Sequence, residues 1–181
     1  VVPLNAAAAA PGQPVTTQGQ SGTANRKGFI FGLGAGGGIH RAPVFPGFST
    51  AGNTNEGAVI TDLSIGYAPT DQILVYYSNQ VAWSRSIRYD LVGVTGVGVT
   101  YMFSPSSPSA FLKGSVGGGI VADVDFDSGR VDSNDTGLGL TIGGGYEFAR
   151  HWSIEAGAMF ARLENGNNHT VLKATFNWVF Y

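Results

Sequence analysis

The chain has 181 residues, which is enough for one domain, and its formal net charge of −2 excludes the basic surface that a nucleic-acid partner needs. Charged residues make up only 12% of the chain while glycine occupies 28 positions, a combination that disfavours a helical protein. The absence of cysteine excludes a disulfide framework, a thiolate zinc site and a cysteine nucleophile. No run approaches the roughly 20 apolar residues of a membrane-spanning helix, although membrane strands need far fewer.

Residues 1–27 are predicted to form a flexible N-terminal leader. The run from Ala6 to Ala10, followed by Pro11, resembles the small-residue end of a removed export signal. Residues 11–27 are polar, rich in Gly, Gln and Thr, and show no periodicity. We therefore expect the folded domain to comprise residues 28–181.

From Gly28 onward the sequence alternates with a period of two residues in eight segments. Each segment is long enough for the roughly nine to eleven residues of a tilted membrane strand. The connectors at 68–71, 104–109 and 149–151 are tight, those at 84–89 and 164–168 are short, and those at 41–56 and 123–135 are long. We predict an all-β fold, an eight-stranded antiparallel up-and-down transmembrane β-barrel. Its strands are 29–40, 57–67, 72–83, 90–103, 110–122, 136–148, 152–163 and 169–181.

The position of the aromatic residues favours a membrane over water. Alternation alone would also suit a soluble sandwich or a lipocalin-like barrel. With odd strands running outward, however, 12 of the 21 aromatic residues fall near the tight turns, as in the interfacial girdle of a membrane barrel. This predicted girdle consists of Phe29, Phe31, Tyr67, Tyr101, Phe103, Phe111, Tyr146, Phe148, Trp152, Trp178, Phe180 and Tyr181.

Three segments carry a resemblance to a known family. They are the run GGGYEF at 143–148, the run WSIEAG at 152–157 and the alternating aromatics of the last strand. Together they resemble the small eight-stranded outer-membrane barrels, which include the OmpA transmembrane domain, OmpX and the opacity-type surface proteins. The resemblance implies a monomer in the bacterial outer membrane, in contact with membrane lipids and lipopolysaccharide. It also implies that the barrel assembly machinery reads the final strand, in which Phe180 fits the alternation and Tyr181 lies one residue beyond.

Five charged residues occupy inward positions of the predicted strands and form a candidate lumen cluster. Eight strands leave room inside only for side chains, so we expect paired charges to fill a closed polar lumen. A narrow channel for small solutes is the alternative. A glycosidase-like pair of the two glutamates is disfavoured because the lumen is poorly accessible. The cluster comprises Asp62, Lys113, Glu147, Glu155 and Lys173.

Two further motifs suggest cofactors, and neither pattern is complete. Residues 32–37 match the G-x-G-x-x-G pattern of dinucleotide-binding folds, but no helical segment follows them. Residues 123–135 resemble a calcium loop in which the glycine falls one place late and the final glutamate is missing. We expect no cofactor, and we interpret 123–135 as a solvated acidic outer loop, with a divalent-ion site as the alternative. The residues of that motif are Asp123, Asp125, Asp127, Gly129, Asp132 and Asp135.

Barrel closure should bring two histidines together. His40 ends the first strand and His169 opens the eighth, and strands one and eight are neighbours in a closed barrel. Some small outer-membrane barrels are lipid-modifying enzymes with a rim histidine beside a serine and a carboxylate. Ser49, Glu56 and Glu164 adjoin the predicted rim. A lipid A hydrolase or acyltransferase is therefore an alternative, whereas the primary expectation is a non-enzymatic protein for structure or surface display.

Overall fold

The computed structural model describes residues 26–41, 55–85, 89–125 and 130–181, and all of its regular elements are strands. Eight antiparallel strands in sequence order close into a barrel in which β8 pairs with β1, which confirms the predicted fold class. No helix in the described ranges is long and apolar enough to cross a membrane. The strands are β1 (Gly28–Arg41), β2 (Asn55–Ala68), β3 (Ile73–Arg85), β4 (Tyr89–Met102), β5 (Ser109–Asp125), β6 (Arg130–Ala149), β7 (Trp152–Leu163) and β8 (Asn168–Phe180).

The two ends of the barrel differ. At one end, here called the turn end, short connectors join β2 to β3, β4 to β5 and β6 to β7. The opposite end, here called the loop end, carries the β1–β2, β3–β4, β5–β6 and β7–β8 connections. Residues 42–54, 86–88 and 126–129 of the loop end lie outside the described part of the chain.

The predicted acidic loop at 123–135 is wrong in extent. The hairpin of β5 and β6 continues through it, with Val121 opposite Asp135 and Asp123 opposite Ser133. A register shift after Asp123 marks an irregularity in this extension. Asp123 and Asp125 therefore lie in an extended strand, which does not curl around an ion as a calcium loop does. Asp132 belongs to β6, while Asp127 and Gly129 lie outside the described residues.

The glycine-rich run at 32–37 lies wholly inside β1, where it pairs with β2 on one side and β8 on the other. The dinucleotide-binding interpretation is therefore contradicted, since that motif must open a helix. Its inward glycines give space to the lumen instead. A Cβ atom at Gly34 would lie only 3.1 Å from the Cβ atom of Asp62.

The alternation turns the apolar side chains outward. Ile142 is 60% exposed and Ile154 is 53% exposed, whereas the inward Thr141 is 2% exposed. A soluble lipocalin-like barrel would bury its apolar face inside, so this arrangement contradicts that alternative. The outward apolar surface and the inward polar one together define the space in which the lumen residues meet.

Candidate functional site: the barrel lumen and its two ends

Four of the five predicted lumen residues form one charge network, here called the charge ring (Asp62, Lys113, Glu155 and Lys173). Lys113 Nζ donates to Asp62 Oδ2 at 2.7 Å and to Glu155 Oε2 at 3.1 Å. Lys173 Nζ donates to Glu155 Oε1 at 2.6 Å and lies 3.9 Å from Asp62 Oδ2. Each side chain is at most 10% exposed. Two cations and two anions from β2, β5, β7 and β8 thus cross the lumen with no net charge.

The fifth predicted lumen residue, Glu147, lies apart from the charge ring at the turn end. Its carboxylate forms an ion pair with the guanidinium of Arg26 and accepts a hydrogen bond from the Tyr181 hydroxyl. Arg26 Nη1 also donates to the carbonyl oxygens of Asp71 at 3.1 Å and Ser104 at 2.9 Å. Burial, together with the Glu147 carboxylate, raises the pKa of Tyr181. Arg26, Glu147 and Tyr181, here called the turn-end plug, lie across the lumen at this end.

Arg26 is a functional residue that sequence reasoning missed. It falls in the segment predicted as flexible leader, two residues before Gly28, yet it is fully buried. A signal was available in the charges. The five predicted lumen residues comprise three carboxylates against two lysines, which leaves one carboxylate without a cation, and Arg26 and Lys27 directly precede β1.

A cavity of about 60 Å³ lies between the charge ring and the turn-end plug. Tyr76, Phe111, Ser153 and Asn177 contribute to its wall, together with members of both charged groups. One water needs roughly 15 Å³ of such volume, so this cavity has room for about four waters. The cavity is therefore large enough for a few waters and borders charged side chains of both groups.

On the loop-end side of the charge ring, the lumen is filled by apolar side chains. On two strands that carry a ring residue they lie nearer the loop end than that residue, since Ile60 is two residues from Asp62 on β2 and Met159 is four residues from Glu155 on β7. The expectation of a polar lumen is thus only partly right, because this layer is apolar. An apolar constriction of this kind opposes ions, which would have to shed their hydration shells. The apolar layer consists of Ala58, Ile60, Ala82, Val92, Val94, Met159, Ala161 and Val171.

The two histidines meet at the loop end, as barrel closure predicts. Their rings stack with centroids 5.4 Å apart, and His40 Nε2 lies 3.1 Å from His169 Nδ1. On its other side, His40 Nδ1 lies 3.2 Å from Ser84 Oγ, a contact that the sequence did not predict. Ser84 is 1% exposed and points inward, where a lipid ester cannot reach its oxygen. Of the residues expected beside the histidines, Glu56 lies opposite His40 on β2, Glu164 lies in the β7–β8 turn, and Ser49 lies outside the described residues.

Ten of the twelve predicted girdle residues lie on the outward face near the turn end, and two point inward. Phe111 is 6% exposed because it shares the inward parity of Lys113, and it fills the space left by Gly145. Tyr181 follows the outward Phe180 by one residue, so its hydroxyl reaches Glu147 inside the barrel. The outward residues are Phe29, Phe31, Tyr67, Tyr101, Phe103, Tyr146, Phe148, Trp152, Trp178 and Phe180.

Comparison with known proteins gives matches in structure only. No family model and no curated protein matches the sequence. The structure is similar to that of Ail, the attachment invasion locus protein of Yersinia pestis, which was crystallised with the heparin analogue sucrose octasulfate. This match has a TM-score of 0.56 and 12% identity over 84% of this chain and 99% of Ail. It is also similar to Neisserial surface protein A, with a TM-score of 0.54 and 13% identity over 82% of this chain and 96% of that protein. The chain therefore has the fold of the small eight-stranded outer-membrane β-barrels.

Proposed function

We propose that this protein is a bacterial outer-membrane barrel that anchors and displays its loop-end segments, and that its lumen is closed to solutes. The observation that carries the proposal is an apolar belt around an interior that the turn-end plug, the charge ring and the apolar layer cross. Large apolar side chains face outward all round the barrel, for example Val59 on β2, Val116 on β5 and Leu138 on β6. Such a surface is costly in water and stable in hydrocarbon, where closure also leaves no unpaired strand edge.

Three successive obstructions inside the barrel support display of the loop-end segments over transport of solutes. A solute that entered from the turn end would first meet the turn-end plug, then the charge ring and then the apolar layer. Opening any one of them leaves the other two in place. Breaking the charge ring would also leave buried charges without partners, which is unfavourable.

The outward surface also supports the lipid partners. Arg41 on β1 and Arg162 on β7 are exposed cations beside the loop end of the belt. Guanidinium groups at that height suit the phosphates of lipopolysaccharide, while the belt itself suits acyl chains. The last strand ends its outward series on Phe180, which supports recognition of β8 by the barrel assembly machinery.

Two experiments test the proposal. The first follows membrane fractions and gel migration, where we expect extraction only with detergent and faster migration of the unheated, folded barrel. Release from cells as a soluble protein would contradict the membrane location.

The second experiment measures conductance of the purified barrel in a planar bilayer at neutral pH. We expect no steady current above that of the bare bilayer. A steady open pore would contradict the closed lumen and would favour the narrow channel instead.

A further inference from the structure

One side of the apolar belt carries polar residues that face outward. They are Thr61 on β2, Asn79 on β3 and Thr95 on β4, and Asn79 lies directly opposite Thr95 in the strand pairing. On β1 and on β5 to β8, the described outward positions at belt height are apolar or glycine. We call the polar group, with Tyr77 and Trp83 beside it, the belt patch.

The belt patch lies at mid-depth. Asn79 is six residues from Ile73, where β3 begins at the turn end, and four residues from Trp83. With a rise of about 3.3 Å per residue and a tilt of about 40°, Asn79 lies roughly 15 Å above Ile73. The apolar band of such a barrel is about 25 Å tall, so this amide is far from both interfaces.

Contacts inside the chain satisfy the belt patch only in part. Thr95 Oγ1 donates to the Tyr77 hydroxyl at 2.6 Å, and Trp83 Nε1 donates to Thr61 Oγ1 at 3.2 Å. The Asn79 side chain interacts with the same Tyr77 hydroxyl. A side-chain amide has two N–H donors and a carbonyl acceptor, so a single contact with the Tyr77 hydroxyl cannot satisfy all of them. An amide left partly unpaired in hydrocarbon is unfavourable, which favours a partner with a polar group at the same depth.

Lipid headgroups and water lie at the interfaces, so neither reaches this height. A second copy of the chain does, because insertion in the same orientation places its own Asn79 at the same depth. An amide is also self-complementary, since each copy can donate its N–H to the carbonyl oxygen of the other about a two-fold axis. The exposed Gly118 lies opposite Thr95 at the edge of the patch, and small residues let membrane segments approach closely.

We infer that the β2–β4 face is a self-association surface on which two copies pair through Asn79 and Thr95. This inference rests on the membrane insertion proposed above and differs from the monomer that the family resemblance implies. The two-fold axis runs along the membrane normal, so both barrels keep the same orientation.

Disulfide crosslinking tests the inference, and the chain has no cysteine of its own. Val81→Cys places a thiol on the outward face of β3 next to Asn79, which stays intact. The matched control is Ala174→Cys, six residues from the turn-end residue Phe180 on the outward face of β8. Each purified variant is placed in phosphatidylethanolamine and phosphatidylglycerol vesicles at high dilution in lipid and is then oxidised.

We expect dimers of V81C to form at least about tenfold faster than dimers of A174C, and the added change Asn79→Leu to slow them about tenfold. Equal rates for V81C and A174C, or no effect of N79L, would overturn the inference. Crosslinking of V81C to a different protein in cells, without homodimers in vesicles, would also overturn it. Heat-dependent gel migration shows separately that each variant is folded. Extraction without detergent would count against the membrane location itself.

Discussion

The substitution Glu155→Gln tests the charge ring most directly. Glu155 is 5% exposed and accepts hydrogen bonds from Lys173 at 2.6 Å and Lys113 at 3.1 Å. Glutamine keeps the size of the side chain but removes its charge, so two ammonium groups then face only Asp62. The ring thereby gains a net charge of +1 in a place where water is scarce.

The magnitude follows from these distances. At an effective dielectric constant of about 20, each lost contact represents roughly 5–6 kcal/mol of gross attraction. Most of this attraction offsets the desolvation of the ions, and removal of one partner from a buried pair costs about 3–5 kcal/mol of net stability. A cavity with room for a few waters borders Lys113, so we take the lower end and expect a loss of about 3 kcal/mol.

Equilibrium unfolding in urea from lipid vesicles measures the effect through tryptophan fluorescence and heat-dependent gel migration. Lys173→Met is the companion variant, since it leaves a net charge of −1. The double variant is neutral again and retains the 2.7 Å pair between Lys113 and Asp62. We expect the double variant to lose about 2 kcal/mol less unfolding free energy than the two single losses added together. Single losses below about 0.5 kcal/mol that add in the double variant would refute the charge ring as a coupled unit.

Two further predictions concern the turn end and the lumen wall. Arg26→Met leaves Glu147 buried without its cation, and we expect the free energy of unfolding to fall by about 3 kcal/mol, with partial recovery when Glu147→Gln is added. An unchanged urea midpoint would show that the segment before β1 is not anchored inside the barrel. Gly145→Ala should destabilise the barrel by about 1–3 kcal/mol, because the new Cβ atom would lie 2.2 Å from the Ile154 carbonyl oxygen and 2.5 Å from the Phe111 ring. The control Gly118→Ala places its Cβ atom 3.9 Å from the nearest atom, and equal urea midpoints for the two variants would contradict this account of the lumen wall.

Much of the barrel follows from local sequence. A strand alternates its side chains with a fixed period of two, so the order of residues decides which of them share a face. The alternation alone therefore assigns Trp152, Ile154 and Phe160 to one face of β7. The meeting of His40 and His169 was also predictable, because strand order and closure alone make β1 and β8 neighbours.

Other features depend on relations between distant strands. The acidic segment 123–135 has the composition of a loop because aspartate and glycine are poor strand formers, yet pairing with a partner extends β5 and β6 into it. Phe111 was wrongly predicted to face outward because it lies close to a turn. It is two residues from the inward Lys113 on the same strand, and this spacing already places it on the inward face.

The sequence by itself determined the strands, their faces and the charged residues that enter the lumen, since each depends on neighbours within one segment. Only the tertiary structure decided which of these charges meet. The stagger between strands sets the height of each side chain, and that height groups Glu155 with two lysines while it leaves Glu147 to Arg26. The same closure places the apolar layer above the charge ring, and it makes Asn79 an outward amide at mid-depth in the belt.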